Sequence, residues 1–102
     1  MLTPGRETFG DDVHGLAVEA RVAAHHGRLA NAVSLALRAV ERAEAREGEL
    51  NFRATIWQSL AEVQRVAGQS AQADAARATA LALYERKGNI AAAARLRAAV
   101  TT

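Results

Sequence analysis

The sequence contains no cysteine, which removes a disulfide framework and all thiolate chemistry. Its one proline, Pro4, sits in the opening residues, so no ring interrupts a helix anywhere downstream. Aromatic residues are scarce: Phe9, Phe52, Trp57 and Tyr84 complete the set. No apolar run approaches the ~20 residues that a membrane-spanning helix needs. The opening MLTPGRETFGDD also lacks the apolar stretch of a secretory signal. The expectation is a cytoplasmic protein that does not enter a membrane. Lysine is nearly missing too, since Lys87 is the one lysine among thirteen basic residues. The arginines alternate with eleven acidic residues for a net charge of +2, whereas a nucleic-acid footprint clusters its cations. Arginine and alanine enriched together fit a GC-rich coding sequence, and nucleic acid is a disfavoured partner.

Chemistry-bearing motifs are missing as well. There is no nucleophile elbow, phosphate loop, HExxH or dinucleotide fingerprint. Ser34, Ser59, Ser70 and Thr79 fall in helical or capping contexts. His25 and His26 invite a metal reading, but adjacent helical residues diverge by roughly 100° and do not share one ion. The sequence therefore predicts no enzyme, no catalytic residue, no metal and no cofactor.

What the chain does have is alanine. Half of its 102 residues are apolar, and alanine, the commonest, favours helix while adding little area to a core. The length suits one small domain. Residues 1–11, with Pro4, Gly5 and Gly10 and no periodicity, are expected to be a disordered or loosely docked arm. Residues 12–102 are expected to form the folded domain.

Five helical patterns follow. Asp11 or Asp12 caps the first, in which Val13, Leu16, Ala20 and Ala23 recur at steps of three and four and Gly27 makes the exit turn. The second runs from Leu29 to Glu47 with Ala32, Val33, Ala36, Val40 and Ala43 inward. Its charged end, ERAEAREGE, is expected to project into solvent before Gly48 stops it. The third spans Leu50 to Ala67, with Phe52, Ile56, Leu60 and Val63 in line beside Trp57 and Ala61. Glu62 and Arg65 on its outer face are spaced to pair. The fourth starts at Gln69 or Ser70 and buries Ala73, Ala76, Ala80, Leu83 and Tyr84. Gly88 and Asn89 then stop one helix and cap the next, a fifth marked by Ile90, Ala93, Leu96 and Val100.

An internal pattern links these segments. Gly27 is followed five and twelve residues later by Ala32 and Ala39, and Gly68 by Ala73 and Ala80 at the same distances. Gly88 and Ala93 repeat the first interval. A glycine permits the sharp turn, and the alanines let the next helix lie close.

Trp57, Leu60 and Ala61, with Gly68, Ala73 and Ala80, resemble the tetratricopeptide repeat (TPR). Ala20, Gly27, Ala32 and Ala39 look like a weaker copy. The tail ALALYERKGNIAAAA is similar to alanine-rich arrays at the ends of large bacterial ATPase- or cyclase-linked regulators. Gln64 and Arg77 stand where the motif prefers aromatics, and Glu85 replaces its closing proline. The turn glycines are 41 residues apart, against about 34 in the family. Seven extra residues make two helical turns and keep the apolar faces in phase.

The resemblance implies an all-α fold of antiparallel hairpins, stacked as a short solenoid. It also implies a partner, a peptide or protein segment held on the concave face lined by each repeat's first helix. That face would carry His14, Arg21 and His25 from the first helix, and Thr55, Gln58, Glu62 and Arg65 from the third. Arrays of this kind need about three repeats for stability, so the chain is expected to self-associate or to belong to a larger array. A competing reading, a small helical regulator that touches nucleic acid, requires Arg38, Arg42, Arg46, Arg95 and Arg97 to share one face.

Overall fold

The computed structural model describes residues 12–45 and 49–101. There the chain is all-α, with α1 (Val13–His25), α2 (Leu29–Ala45), α3 (Leu50–Val66), α4 (Ser70–Lys87) and α5 (Ile90–Thr101) and no strand among the described residues. The expected arm over residues 1–11, the stop at Gly48 and the side chain of Val100 lie outside what is described.

Several described helix ends have a local cause. The Asp12 carboxylate accepts the Gly15 N–H at 3.1 Å, and Glu49 accepts that of Phe52 at 3.1 Å. Both satisfy donors that a first helical turn leaves without intrahelical partners. The exits of α1, α4 and, between them, α3 share one geometry. Gly27, Gly68 and Gly88 have φ of 80°, 83° and 84°, a left-handed conformation that disfavours any side chain. The residue after each glycine donates its N–H back to the helix it has just left. Arg28 bonds the Ala23 carbonyl at 2.9 Å, Gln69 that of Gln64 at 2.8 Å, and Asn89 that of Tyr84 at 2.9 Å. The glycine N–H itself bonds Ala24, Arg65 or Glu85 at 3.0–3.1 Å, completing a Schellman motif.

The same residue also starts the next helix. The carbonyls of Arg28, Gln69 and Asn89 accept the N–H groups of Ala32, Ala73 and Ala93 at 2.9–3.1 Å. The interval of five residues in the sequence is therefore one turn of chain reversal plus one turn of new helix. Ala32, Ala39, Ala73, Ala80 and Ala93 are all buried, so the glycine corner and the close alanine approach occur together at each described reversal.

α1 packs on α2, α2 on α3, α3 on α4 and α4 on α5, and α1 also reaches α3. Lys87 at the end of α4 pairs with Glu49 at the start of α3, 3.3 Å away, so these two helices run antiparallel. Among the described residues neither α1 nor α2 approaches α5. The core is correspondingly divided. One cluster joins α1, α2 and α3 around Leu16, Val40, Ile56 and Val63, with Ala76 of α4. The other gathers Ala54, Ala80, Leu83, Tyr84 and Leu96, and Trp57 packs against both.

One expected core residue faces water. Ile90 is 79 % exposed. The buried face of α5 is set by Ala92, Ala93 and Leu96, and Ile90 lies roughly 110° around the helix from it.

Small size is required only on the inner face of α4. Ala80→Leu should destabilise the protein by about 1–3 kcal/mol through overpacking. Ala78→Leu, at an exposed position of the same helix, should stay within about 0.5 kcal/mol of wild type. Urea unfolding midpoints of the two variants measure the contrast.

Candidate functional site: the outer face of α3 and the groove beside α1

The outer face of α3 carries Asn51, Thr55, Gln58 and Glu62 at steps of four, three and four, which keeps them on one side. Together they meet three neighbours: Asn89, Tyr84 and Arg21. Asn51 Oδ1 accepts from Asn89 Nδ2 at 3.1 Å, while Asn89 Oδ1 caps α5 by accepting the Ala92 N–H at 3.1 Å. One asparagine thus fixes both the start of α5 and its attachment to α3. The Tyr84 hydroxyl lies 3.1 Å from Thr55 Oγ1 and donates to Gln58 Oε1 at 3.1 Å. Its ring is buried among Ala54, Ala80 and Leu83, as an amphipathic aromatic side chain prefers. Glu62, at the far end of the face, pairs with Arg21 of α1 at 3.7 Å.

Beyond that pair α1 and α3 lie side by side around a groove of about 400 Å³. Arg21, Ala24 and His25 form one wall, and Glu62, Val63 and Val66 the other. Methyl groups make up much of the lining, and the rim holds a guanidinium, a carboxylate and an imidazole. Such a cleft offers shape, one donor and one acceptor to an incoming chain. The rings of His25 and His26 stand edge to face, 5.6 Å apart. Among the described residues no cluster of three His, Asp or Glu side chains is arranged to hold a metal ion.

Of the seven residues singled out on the first helices, the structure brings Arg21, His25 and Glu62 together in the groove. Thr55 and Gln58 sit further along α3, joined through Tyr84. His14 and Arg65 are exposed and line none of this groove. The expected Glu62–Arg65 pair is not made. α1 presents the Arg21 guanidinium directly across the groove, and Glu62 turns to it.

A further correction concerns the charged end of α2, expected in solvent. Glu44 turns inward and binds α3. Its Oε1 accepts from Arg53 Nη2 at 2.6 Å, and its Oε2 accepts from Trp57 Nε1 at 2.7 Å. Arg53 and Trp57 are four residues apart and so face α2 together. A half-buried indole N–H needs an acceptor, and that need was the one sequence signal for this contact. The bonds from Arg53 and then Trp57 hold the Glu44 carboxyl below its ordinary value, against the opposing effect of burial. Because Glu44 fixes α3 against α2, it also fixes the direction in which the outer face of α3 points.

Comparison with family models, with curated proteins and with solved structures gives no match. No helix among the described residues is long and apolar enough to cross a membrane.

The Glu44 contact sets a pH dependence. A carboxyl whose folded-state pKa is depressed stabilises the fold above the ordinary value of 4.5, and this contribution disappears as the pH falls through the lower folded-state value. Glu44→Gln should lose about 1–2 kcal/mol at neutral pH and show a shallower acid-induced decline than wild type. Trp57 fluorescence during urea unfolding across pH reads both effects.

Proposed function

We propose that this chain is a non-catalytic interaction module, a TPR-like pair of helical hairpins that holds an extended peptide or protein segment along the α1–α3 face. The observation that supports it is the groove bridged by Arg21 and Glu62. There two first helices lie side by side, with a largely apolar floor and polar groups restricted to the rim. The outer face of α3 continues that groove with amides and hydroxyls at helical spacing. These groups suit the orientation of a bound backbone better than the transformation of a substrate. The recurrence of one corner geometry, 41 residues apart at Gly27 and Gly68, is consistent with a repeated unit whose first helices form a shared surface.

The arginine surface is a weaker basis for function. Arg38 and Arg42 are on α2 and Arg95 and Arg97 on α5, and α2 and α5 do not touch. Arg97 is paired with Glu85, and Arg46 lies outside the described residues. This separation gives a single basic face less support than the groove has.

Selection from a displayed library of random peptides against the immobilised chain tests the proposal. Enriched peptides should bind with micromolar dissociation constants and lose about tenfold in affinity when Glu62→Ala or Gln58→Ala alters the face, an effect of about 1.4 kcal/mol. Failure to enrich any sequence, or binders indifferent to both substitutions, would remove the assignment. Duplex DNA binding with a steep salt dependence would favour the arginine reading instead.

A further inference from the structure

The two hairpins permit an internal comparison. Superposing Gly27 on Gly68 aligns α1 with α3 at an offset of 41 residues. Four buried positions then agree: Val13 with Ala54, Gly15 with Ile56, Ala20 with Ala61 and Ala23 with Gln64. Leu16 and Ala17 are buried where Trp57 and Gln58 are half-buried, and three positions buried on α3 are exposed on α1. On α3, Ser59, Leu60 and Val63 are 7 %, 2 % and 1 % exposed. Their counterparts are Val18, Glu19 and Val22, all exposed, the valines at 45 % and 49 %.

The cause on α3 is visible, because α1 and α2 pack there. Arg21, Ala24 and His25 stand across the groove from Glu62, Val63 and Val66. The counterparts of Glu62, Val63 and Val66 on α1 are Arg21, Val22 and His25. These three, with Val18 and His26, line a second hollow of about 350 Å³. It is the same half-groove, lined by residues of a single helix.

We propose that this edge of α1 docks a helix from another polypeptide, one that presents a carboxylate to Arg21 and a small residue to Val22. The sign of the charge follows from the internal comparison. Where α3 carries Glu62, the helix packed on it supplies the guanidinium of Arg21. Where α1 carries Arg21, the complementary group is a carboxylate. Among the described residues no acid lines the hollow, whose polar side chains there are Arg21, His25 and His26. The Arg21–Glu62 pair does not exhaust the guanidinium. Their separation of 3.7 Å is long, Arg21 is 60 % exposed, and an arginine has five N–H donors. The small residue follows from Ala24, which lies three positions beyond Arg21 on the same wall, facing α3 across the groove.

The docking edge rests on the same reading of the chain as an interaction module; it shares Arg21 and His25 with the α1–α3 groove but none of that groove's α3 residues. The test is an NMR titration of the full chain, observing valine and leucine methyl groups. The probe is an alanine-rich helical peptide with glutamates along one face, compared with its lysine counterpart. The glutamate peptide should shift Val18 and Val22 and leave Leu83 in the second core cluster unmoved, while the lysine peptide shifts neither valine. Arg21→Glu should reverse the preference, weakening the glutamate peptide roughly tenfold and creating a response to the lysine peptide. Gln58→Ala should leave these shifts intact, which separates failure at this edge from failure of the outer face of α3. The proposal is overturned if the glutamate peptide leaves both valines unmoved, or if its effect survives Arg21→Glu. It is equally overturned if the two methyls shift with protein concentration alone, the signature of a second copy on this edge. Nuclear Overhauser contacts from them to Leu2 or Phe9 would also overturn it, because the chain's own first residues would then cover the edge.

Discussion

The architecture depends on one steric coupling: a chain reversal that only glycine makes cheaply, followed one turn later by an alanine small enough to meet the helix just left. Gly27, Gly68 and Gly88 adopt the same left-handed geometry, and the N–H groups that follow them close the same bonds. A built side chain at any of the three glycines would meet nothing within 4 Å. The constraint is thus a matter of backbone conformation rather than space. It propagates because the residue after each glycine both ends one helix and starts the next, which fixes the relative phase of consecutive helices. Alanine then sets how near they come. The resulting core has little apolar area per contact, and specific polar contacts such as Glu44 with Arg53 and Trp57 carry much of the burden of fixing α3.

That coupling also explains what could be read from the sequence. Helix limits fell within a residue or two because glycines, caps and apolar spacing are local signals. The inward faces of α1 and α4 were legible for the same reason: Leu16, Ala20, Ala73 and Ala80 declare themselves by periodicity alone. Periodicity says which side of a helix is inward, but not what lies opposite. Glu44 looked like one more charge in a charged run, and only its position opposite Arg53 and Trp57 turns it inward. Glu62 had a plausible partner three residues away and takes one 41 residues away instead. Ile90 was apolar and in a helix, yet the arc buried on α5 is set by Ala92, Ala93 and Leu96.

The same limit applies to the candidate site. The repeat resemblance implied one face, and the structure divides its residues. Arg21, His25 and Glu62 converge because α1 lies beside α3. Thr55 and Gln58 converge on Tyr84, whose ring is anchored in the core while its hydroxyl emerges. His14 and Arg65 share a helix with these groups without sharing the groove. Identifying a candidate surface in a protein of packed helices therefore requires knowing how neighbouring helices lie, and that information is distributed over residues some forty positions apart.

Trp57 is the one tryptophan of the chain, and it packs against both apolar clusters while its indole N–H is held by Glu44. It is a keystone between two thin cores rather than the centre of one. A disturbance at α5 reaches α1 through α4 and α3, because no described helix contact bypasses them. The all-or-none character of unfolding therefore rests on how firmly α4 holds α3, an interface the Trp57 ring shares with Ala76. Loosening the indole would let the α5 end melt as a separate foldon while the first hairpin remained native.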